Sequence, residues 1–229
     1  MTPEELITRL LHRDASVLVL DKPAGLPVHP GPKGGETLTD HLDALRFGLK
    51  WRPELAHRLD RDTSGCIALG RHPRALRDLN ALFRTGKAKK LYWAVVAGGP
   101  AADEGLIDLP LARKSPERGW WMKPDAQGLP SQTRFRVLGR GAGADGRKLT
   151  WLELEPLTGR THQLRVHCAA SGYPILGDAI YGHAARGADL HLHARSLELP
   201  MNPKKPPIVC EAPAPEHIRG ALERCGCRR

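Results

Sequence analysis

Long apolar runs are absent from the sequence. No window holds the ~20 consecutive apolar residues that a membrane-spanning helix requires. The opening residues MTPEELITRLLHRD also lack the basic start and the apolar run of a secretory signal peptide. The five cysteines are an odd number and are scattered along the chain, which excludes a disulfide framework. These absences predict a soluble cytoplasmic protein with no membrane partner.

Several familiar catalytic patterns are also missing. There is no GxSxG nucleophile turn, no GxxxxGK[ST] phosphate loop and no HExxH zinc motif. Apart from Asp189, no acidic or thiol ligand stands at a suitable spacing beside the histidine cluster, and no second cysteine pair completes a tetrahedral site at the C-terminus. We therefore expect no metal at the two candidate clusters, which are His183, His191 and His193, and Cys225 and Cys227.

Positive charge is what the sequence has in excess. Thirty-five lysines and arginines oppose 25 acidic residues, so the net charge is +10, and the hydrophobic fraction of 41% is that of a globular protein. Such a charge favours a polyanionic partner. The densest basic stretch is opposed only by Asp78 and comprises Arg71, Arg74, Arg77, Arg84, Lys87, Lys89 and Lys90.

A second basic stretch runs from Arg113 to Lys123 and contains two adjacent tryptophans. Trp120 and Trp121 could stack on unpaired nucleic-acid bases. The alternative is a solvated face on which the two rings are half-buried. Composition supports both interpretations equally.

The hydrophobic pattern predicts helices and strands that do not alternate strictly. We therefore expect an α+β fold with a mixed, mainly antiparallel β-sheet flanked by helices and loops. Strand alternation places Tyr92, Ala94 and Val96 on one face of their strand. The predicted helices are 4–12, 37–49, 73–85 and 161–170; the predicted strands are 17–20, 66–69, 91–97, 132–138 and 149–156; residues 98–130 are predicted to be loop-rich.

Two polar segments are candidates for function. HRLDRDTSG (residues 57–65) concentrates one histidine, two arginines and two aspartates before a buried strand. LTGRTHQLRVH (residues 157–167) would place His162 and Arg165 on one helix face, where the guanidinium could pair with a phosphate or with a carboxylate. Composition cannot choose between Asp60 and Asp62 as the reactive carboxylate.

Both segments, together with four others in the same order along the chain, resemble motifs of the RluA family of RNA pseudouridine synthases. The likeness covers nearly the whole chain, and six motifs in order make it specific. It implies a single catalytic domain over 16–215, an N-terminal helical extension over 1–15 and a basic C-terminal tail over 216–229, without an S4 RNA-binding domain. The similar segments are DKPAG (21–25), HRLDRDTSG, KKLYWA (89–94), LTGRTHQLRVH with GYPILGD (172–178), LHA (192–194) and EAP (211–213).

The resemblance implies a role for individual residues. Asp60 stands where the family has its catalytic aspartate, while Asp62 falls at a variable position. Arg58 matches an arginine that helps to displace the target base, and Tyr92 matches a tyrosine that packs against the uracil. Arg165 matches a basic residue that pairs with the catalytic aspartate. Further substrate contacts are expected from Lys89, Lys90, Trp120, Trp121, Arg160 and His162.

The implied reaction explains these residue types. Pseudouridine formation breaks the N-glycosidic bond of a uridine and rejoins the ring to the sugar through carbon, so no cofactor is expected. One carboxylate must act as nucleophile or base, and the uridine must leave its stack to be reached. We expect a monomer acting on structured ribosomal RNA, transfer RNA or both. The alternative is a non-catalytic RNA-binding or ribosome-assembly factor on the same fold.

Overall fold

A computed structural model of the chain describes residues 1–31, 34–115 and 121–227. The chain forms two compact units, each built from two chain segments. Unit 1 consists of Met1–Lys90 and Ala194–Pro213, and unit 2 consists of Leu91–His193 and Ala214–Arg229. Trp120, one of the predicted RNA contacts, lies outside the described residues.

Helices and strands follow one another along the chain as listed here. The first part contains α1 (Pro3–Ile7), β1 (Leu10–Arg13), β2 (Val17–Lys22), a 3₁₀ helix (Leu38–Leu45), β3 (Glu54–Leu55), β4 (Ser64–Gly70), α2 (Pro73–Arg84) and β5 (Lys89–Ala97). The second part contains β6 (Glu104–Asp108), β7 (Leu111–Arg113), β8 (Met122–Pro124), β9 (Gln132–Ala142), β10 (Lys148–Pro156), α3 (Gln163–Ala170), β11 (Leu192–Leu199), β12 (Ile208–Glu211) and α4 (Glu216–Arg224).

Unit 1 is organised around the strands β1, β2, β4 and β11 in that order, with β3 on β4 and β12 on β11. The pairs β1–β2, β2–β4 and β11–β12 are antiparallel. Every residue of β4 is buried, as expected for a central strand covered on both faces. Helix α2 packs against this sheet through Leu79, in a core that includes Val17, Val19 and Leu197.

Unit 2 is organised around the antiparallel strands β5, β10, β9 and β6, and a separate hairpin joins β7 to β8. The two faces of β5 serve two different cores. Ala94 and Val96 pack with helix α3 through Leu164 and Cys168. Val95, on the opposite face, packs with helix α4 through residues that include Ile218 and Leu222. The predicted alternation along this strand is therefore confirmed.

The α+β class and the mainly antiparallel sheet are confirmed. Helix α2 starts where Pro73 predicts it, because a proline suits the first helical position and the His72 side chain accepts a hydrogen bond from the amide of Ala75. The strand predictions at 17–20, 66–69, 91–97, 132–138 and 149–156 are each confirmed with bounds that extend slightly further.

Other secondary-structure predictions are wrong. The N-terminal helix covers only Pro3–Ile7, with a capping box between Thr2 and Glu5, and residues 10–13 form strand β1. The segment 37–49 forms a short 3₁₀ helix, and the region predicted as loop-rich contains β6, β7 and β8. The C-terminal segment predicted as a basic tail folds into α4, whose buried face joins the core of unit 2.

Cysteine thiols do not form disulfides: all five are free. Cys66 and Cys168 are buried core residues, and burial raises the pKa of each thiol to about 12. Such thiols are poor nucleophiles because the thiolate is not formed at neutral pH. In the part of the chain that the structure describes, no helix has the length and apolar character to cross a membrane.

Candidate active site

The loop that carries Asp60 in unit 1 is fixed by its buried neighbours. Leu59 is buried on one side of Asp60, and Thr63 and Ser64 are buried on the other. The amide of Thr63 donates to the carbonyl of Asp60 over 3.2 Å. The Asp60 side chain is half-buried, while Arg58 and Asp62 are exposed. The loop therefore presents Asp60 from a backbone that packing and hydrogen bonds hold in place.

Gly65 ends this loop because no other residue fits there. Its φ of +105° lies in the region that favours glycine, and a Cβ atom would approach the backbone oxygen of Ala194 to 2.3 Å. Strand β4 thus starts in close backbone contact with Ala194 of β11. The Thr-Ser-Gly ending of the motif is the sequence requirement for this approach.

A buried lysine ties the loop to the DKPAG turn. Lys22 is 1% exposed, and its ammonium donates to the carbonyls of Pro23 (2.7 Å), Leu26 (2.9 Å) and Arg61 (2.9 Å). Arg61 and Gly25 add a reciprocal pair, in which the Gly25 amide donates to the Arg61 carbonyl and Arg61 Nε donates to the Gly25 carbonyl. The residue after Asp60 is therefore held by three hydrogen bonds.

Two opposing effects act on the pKa of Lys22. Burial lowers the pKa of its ammonium to about 7, although the carboxylates of Asp62, Asp60 and Asp21 favour the charged form. Lys22 had no predicted role. Its place in the DKPAG motif was the available signal, but nothing in the sequence shows that its side chain turns inward to three carbonyls.

His57, the first residue of the motif, is a structural group. Its Nε2 accepts a hydrogen bond from the amide of Ala68 over 3.0 Å, and its ring lies 4.3 Å from that of Phe83. Burial, followed by the charge of Lys90, lowers the pKa of His57 to about 3. The ring is therefore neutral at neutral pH and joins the motif to β4 and α2.

The predicted basic surface of unit 1 is only partly correct. Arg71 is buried, and its guanidinium donates to the carbonyls of Asp14 and Arg46, so it is not a surface cation. Lys89 is exposed but lies 3.1 Å from Glu198, and Lys90 is half-buried, with a pKa lowered by desolvation. The exposed basic residues of this stretch are Arg74, Arg77, Arg84, Lys87 and Lys89.

Tyr92 belongs to unit 2, where β5 positions it. Its neighbour across the strand pair is Leu154 of β10. The side chain is half-buried and packs against the core formed by Ala94, Val96 and their partners. Apolar residues of unit 2 thus anchor the Tyr92 side chain, which an aromatic platform requires.

Arg165 is buried in helix α3 at 4% exposure. Its Nε and Nη2 each donate to one carboxylate oxygen of Asp178 over 2.8 Å, which makes a bidentate pair. Burial alone would raise the pKa of Asp178, but the hydrogen bonds and charge of Arg165, with the amides of Tyr181 and Ile180, hold it below its usual range. Asp178 lies in the GYPILGD motif and had no predicted role, because the motif does not show that its carboxylate pairs with Arg165.

The turn before α3 depends on a buried glutamine. Gln163 accepts from the Thr158 hydroxyl (2.7 Å) and the Arg160 amide (3.1 Å), and its amide group donates to the carbonyl of Gln132 and the hydroxyl of Thr133. Arg160 is half-buried and its Nε donates to the carbonyl of Pro130 over 3.3 Å. This network fixes the TGRTHQ segment on β9.

His162 was predicted to lie within a helix, but it lies just before one. It is the residue before α3, with a left-handed backbone (φ +53°), and the helix begins at Gln163. Its Nδ1 is hydrogen-bonded to the hydroxyl of Tyr181 over 2.8 Å. The Tyr181 ring also lies 5.4 Å from the Arg165 guanidinium, so His162 and Arg165 share Tyr181 as a neighbour.

Trp121 precedes strand β8 and is half-buried. The Lys114 ammonium lies 5.5 Å from the centre of its ring, and the Lys114 amide donates to the Trp121 carbonyl over 2.7 Å. This pairing of cation and aromatic ring at the base of a hairpin suits contacts with nucleic-acid bases and phosphates. Among the described residues, no three His, Cys, Asp or Glu side chains are grouped as a metal site.

The sequence of this chain is similar to those of known RNA pseudouridine synthases. The sequence model of the family described as RNA pseudouridylate synthase matches residues 16–170. The chain is 45% identical to an uncharacterised RNA pseudouridine synthase of Zymomonas mobilis, over 92% of this chain and 95% of the other. It is 38% identical to the dual-specificity RNA pseudouridine synthase RluA of Vibrio vulnificus, over 86% of this chain and 79% of that protein.

A solved structure shows the same fold. Human RNA pseudouridylate synthase domain containing 4 superposes with a TM-score of 0.81 at 28% identity, covering 97% of this chain and 95% of the human one.

Proposed function

The chain belongs to the RluA family of RNA pseudouridine synthases, and on that premise we propose that it isomerises specific uridines in structured ribosomal RNA, transfer RNA or both, with Asp60 as the catalytic carboxylate. It is an isomerase of RNA, so the alternative of a non-catalytic RNA-binding factor is set aside. The catalytic domain is proposed to span residues 16–215. The observation that carries the assignment of Asp60 is the loop itself, in which the buried Thr63 binds the carbonyl of Asp60 and the buried Lys22 binds the carbonyl of the next residue, Arg61.

The reaction needs one carboxylate and no external reagent. The bond from C1′ of the ribose to N1 of uracil breaks, a bond from C1′ to C5 forms, the proton on C5 leaves, and N1 takes up a proton. Atoms and electrons balance without an oxidant. A carboxylate can initiate this exchange as a nucleophile or as a base, and we assign that step to Asp60 rather than to the exposed Asp62.

The target uridine must leave its stack before Asp60 can reach it. We assign Arg58 to the displacement of the base, since its exposed guanidinium can occupy the space that the base leaves. We assign Tyr92 to the uracil face, because its side chain is half-buried and packs against the core of unit 2.

Arg165 is proposed to stabilise the ionised form of Asp60. A guanidinium suits this role because it stays charged when buried and offers several donors in a fixed plane. Its Nε and Nη2 are held by Asp178, which sets the orientation of the plane. Additional contacts to the RNA are proposed for Lys89, Lys90, Trp120, Trp121, Arg160 and His162.

The test is the replacement Asp60→Asn, which keeps the size of the side chain but removes its carboxylate. We expect turnover to fall by more than about a thousandfold, the contribution of a positioned nucleophile or base. The measurements are tritium release from ribosomal and transfer RNA transcripts labelled at uracil C5, and pseudouridine mapping in cells with and without the gene. RNA affinity should be retained or rise slightly, since a negative charge is removed from the RNA-facing loop.

Asp62→Asn is the matched control, because Asp62 lies in the same loop and is exposed. We expect it to keep most of the activity. An active Asp60→Asn enzyme, or an equally inactive Asp62→Asn enzyme, would contradict the assignment. Mapping that finds no pseudouridine lost from ribosomal or transfer RNA on deletion of the gene would contradict the substrate class instead.

A further inference from the structure

Asp178 connects Arg165 to the turn formed by residues 178–181. Its carboxylate is 1% exposed and accepts four hydrogen bonds. Two come from Arg165, and two come to Oδ1 from the amides of Ile180 (2.9 Å) and Tyr181 (3.1 Å). The plane of the Arg165 guanidinium and the backbone of the 178–181 turn are therefore fixed by the same buried group.

Tyr181 makes three further contacts from this turn. Its hydroxyl accepts from the amide of Met122 over 2.9 Å and is hydrogen-bonded to Nδ1 of His162 over 2.8 Å. Its ring lies edge-on to that of His162, with centroids 5.5 Å apart, and 5.4 Å from the guanidinium of Arg165. One phenol thus contacts two residues of the TGRTHQLRVH motif and the start of β8.

The backbone of His162 is strained in a way that this contact explains. A left-handed conformation is unfavourable for a residue with a Cβ atom, because the Cβ comes too close to the backbone. Such a conformation persists only where the surroundings fix it. The hydrogen bond and ring contact with Tyr181 are the interactions that hold the His162 side chain on one side of the helix start.

Met122 links this arrangement to the hairpin of β7 and β8. Its amide bonds to Tyr181, and the preceding residue is Trp121, whose ring lies beside the Lys114 ammonium. Trp121, which is proposed to contact RNA, is therefore the direct neighbour of a residue hydrogen-bonded to Tyr181, and Tyr181 also contacts His162 and Arg165.

We propose that Tyr181 is a positioning residue for the isomerisation: its hydroxyl holds His162 and the start of β8 in one arrangement, and with Asp178 it fixes the orientation of Arg165. This inference rests on the proposed function of Arg165. Tyr181 does not itself take part in bond exchange, because its hydroxyl is engaged by Met122 and His162. Its effect is exerted on the rate through the groups that it holds.

The variant Tyr181→Phe removes only the hydroxyl and keeps the ring beside Arg165. We expect the single-turnover rate at saturating RNA to fall about tenfold, because the two hydrogen bonds of this hydroxyl in a preorganised site are lost. The dissociation constant for the same tritiated transcript should change by less than about threefold. Tyr173→Phe is the matched control, since Tyr173 is a buried tyrosine of unit 2 outside this group of contacts; it should lower the melting temperature at most.

Two further measurements separate positioning from general stability. Hydrogen exchange at the Met122 amide should become faster in Tyr181→Phe and stay unchanged in Tyr173→Phe. In a background of His162→Ala, adding Tyr181→Phe should cost less in rate than it does in the wild type, because one of the two groups through which the hydroxyl acts is already gone. Both assays are run well below the melting temperature of the least stable variant.

The outcomes distinguish this inference from the proposed function. If the wild-type enzyme is active, Asp60→Asn is inactive and Tyr181→Phe reacts as fast as Tyr173→Phe, the role of Tyr181 is overturned while the function stands. Full additivity with His162→Ala also overturns it. If Asp60→Asn stays active, the proposed function fails first. A tenfold loss in Tyr181→Phe with unchanged affinity and a faster Met122 amide supports the inference.

Discussion

At the scale of single residues, buried polar groups hold the candidate site together more than the exposed ones do. Lys22 bonds to three carbonyls, and one of them is the carbonyl of Arg61, directly after Asp60. A buried ammonium without such acceptors would be costly, so these bonds compensate for its desolvation. Replacing Lys22 would leave carbonyls without donors beside the reactive loop, which makes Lys22 a structural support of Asp60.

His57 gives a prediction about pH. Because its folded-state pKa is lowered to about 3, the unfolded chain binds a proton below pH 6.5 that the folded chain rejects. Stability conferred by neutral His57 is therefore fully present above pH 6.5 and is lost as the pH falls toward 3. The free energy of unfolding of the wild type, relative to His57→Gln, should decrease by about 1.4 kcal/mol per pH unit in this window.

Chemical denaturation at a series of pH values measures this difference. His29→Gln is the control, because His29 is exposed, and its pH profile should parallel that of the wild type. Parallel profiles for His57→Gln and the wild type would show that His57 is not held neutral in the folded protein.

At the scale of helices and strands, the sequence pattern predicted correctly those elements whose determinants lie within one short segment of the chain. Strand alternation placed Tyr92 with Ala94 and Val96 correctly, because β5 has a core on each face. The helix at 73–84 was also predicted, because its proline start and its apolar face lie within one segment. Strand β1 was read as helix because leucines at helical spacing also suit a strand when β2 offers a partner.

The candidate site was predictable to a smaller extent. The motifs led to Asp60, Tyr92 and Arg165 through resemblance to a family. The partners of these residues were not predictable, because Asp178 and Tyr181 act through hydrogen bonds that form only once helix α3 and the turn after it are folded. Periodicity along a chain carries no information on which distant side chain meets which.

The β7–β8 hairpin gives a prediction about substrate binding. Trp121→Ala should raise the KM for RNA severalfold with little change in kcat, since loss of base stacking, at about 1–3 kcal/mol per base, weakens ground state and transition state alike. Steady-state tritium release measures both constants. Trp51→Ala is the matched control, because Trp51 is 50% exposed and also has a lysine, Lys50, beside its ring.

An unchanged KM in Trp121→Ala would show that the ring does not contact RNA. A large fall in melting temperature would show that it is part of the core of unit 2. Trp120, next to it in the chain, is expected to act in the same way.

At the scale of the whole molecule, the net charge of +10 does not by itself show where RNA binds, because some of the basic residues are buried or paired with acidic ones. Arg71 is buried with backbone partners, and Lys89 lies beside Glu198. In unit 2, Arg134 and Arg136 are exposed but pair with Glu155 and Glu153. Arg74, Arg77, Arg84 and Lys87, at α2 and just after it, are exposed and have no such acidic partner among the residues that the structure describes, so they are the better candidates for phosphate contacts.

RNA affinity should therefore depend steeply on salt, and the dependence should be traceable to α2. A protein that neutralises phosphates releases condensed counterions, so log K falls with log salt by about 0.7–0.9 per phosphate contact. The double variant Arg84→Ala and Lys87→Ala should reduce that slope by roughly 1 to 2. Arg136→Ala should leave the slope nearly unchanged, because Arg136 is paired with Glu153 and not with a phosphate. Filter binding of one transcript over a salt series gives the slopes; equal slopes for the wild type and the α2 double variant would mean that the phosphates are bound elsewhere on the molecule.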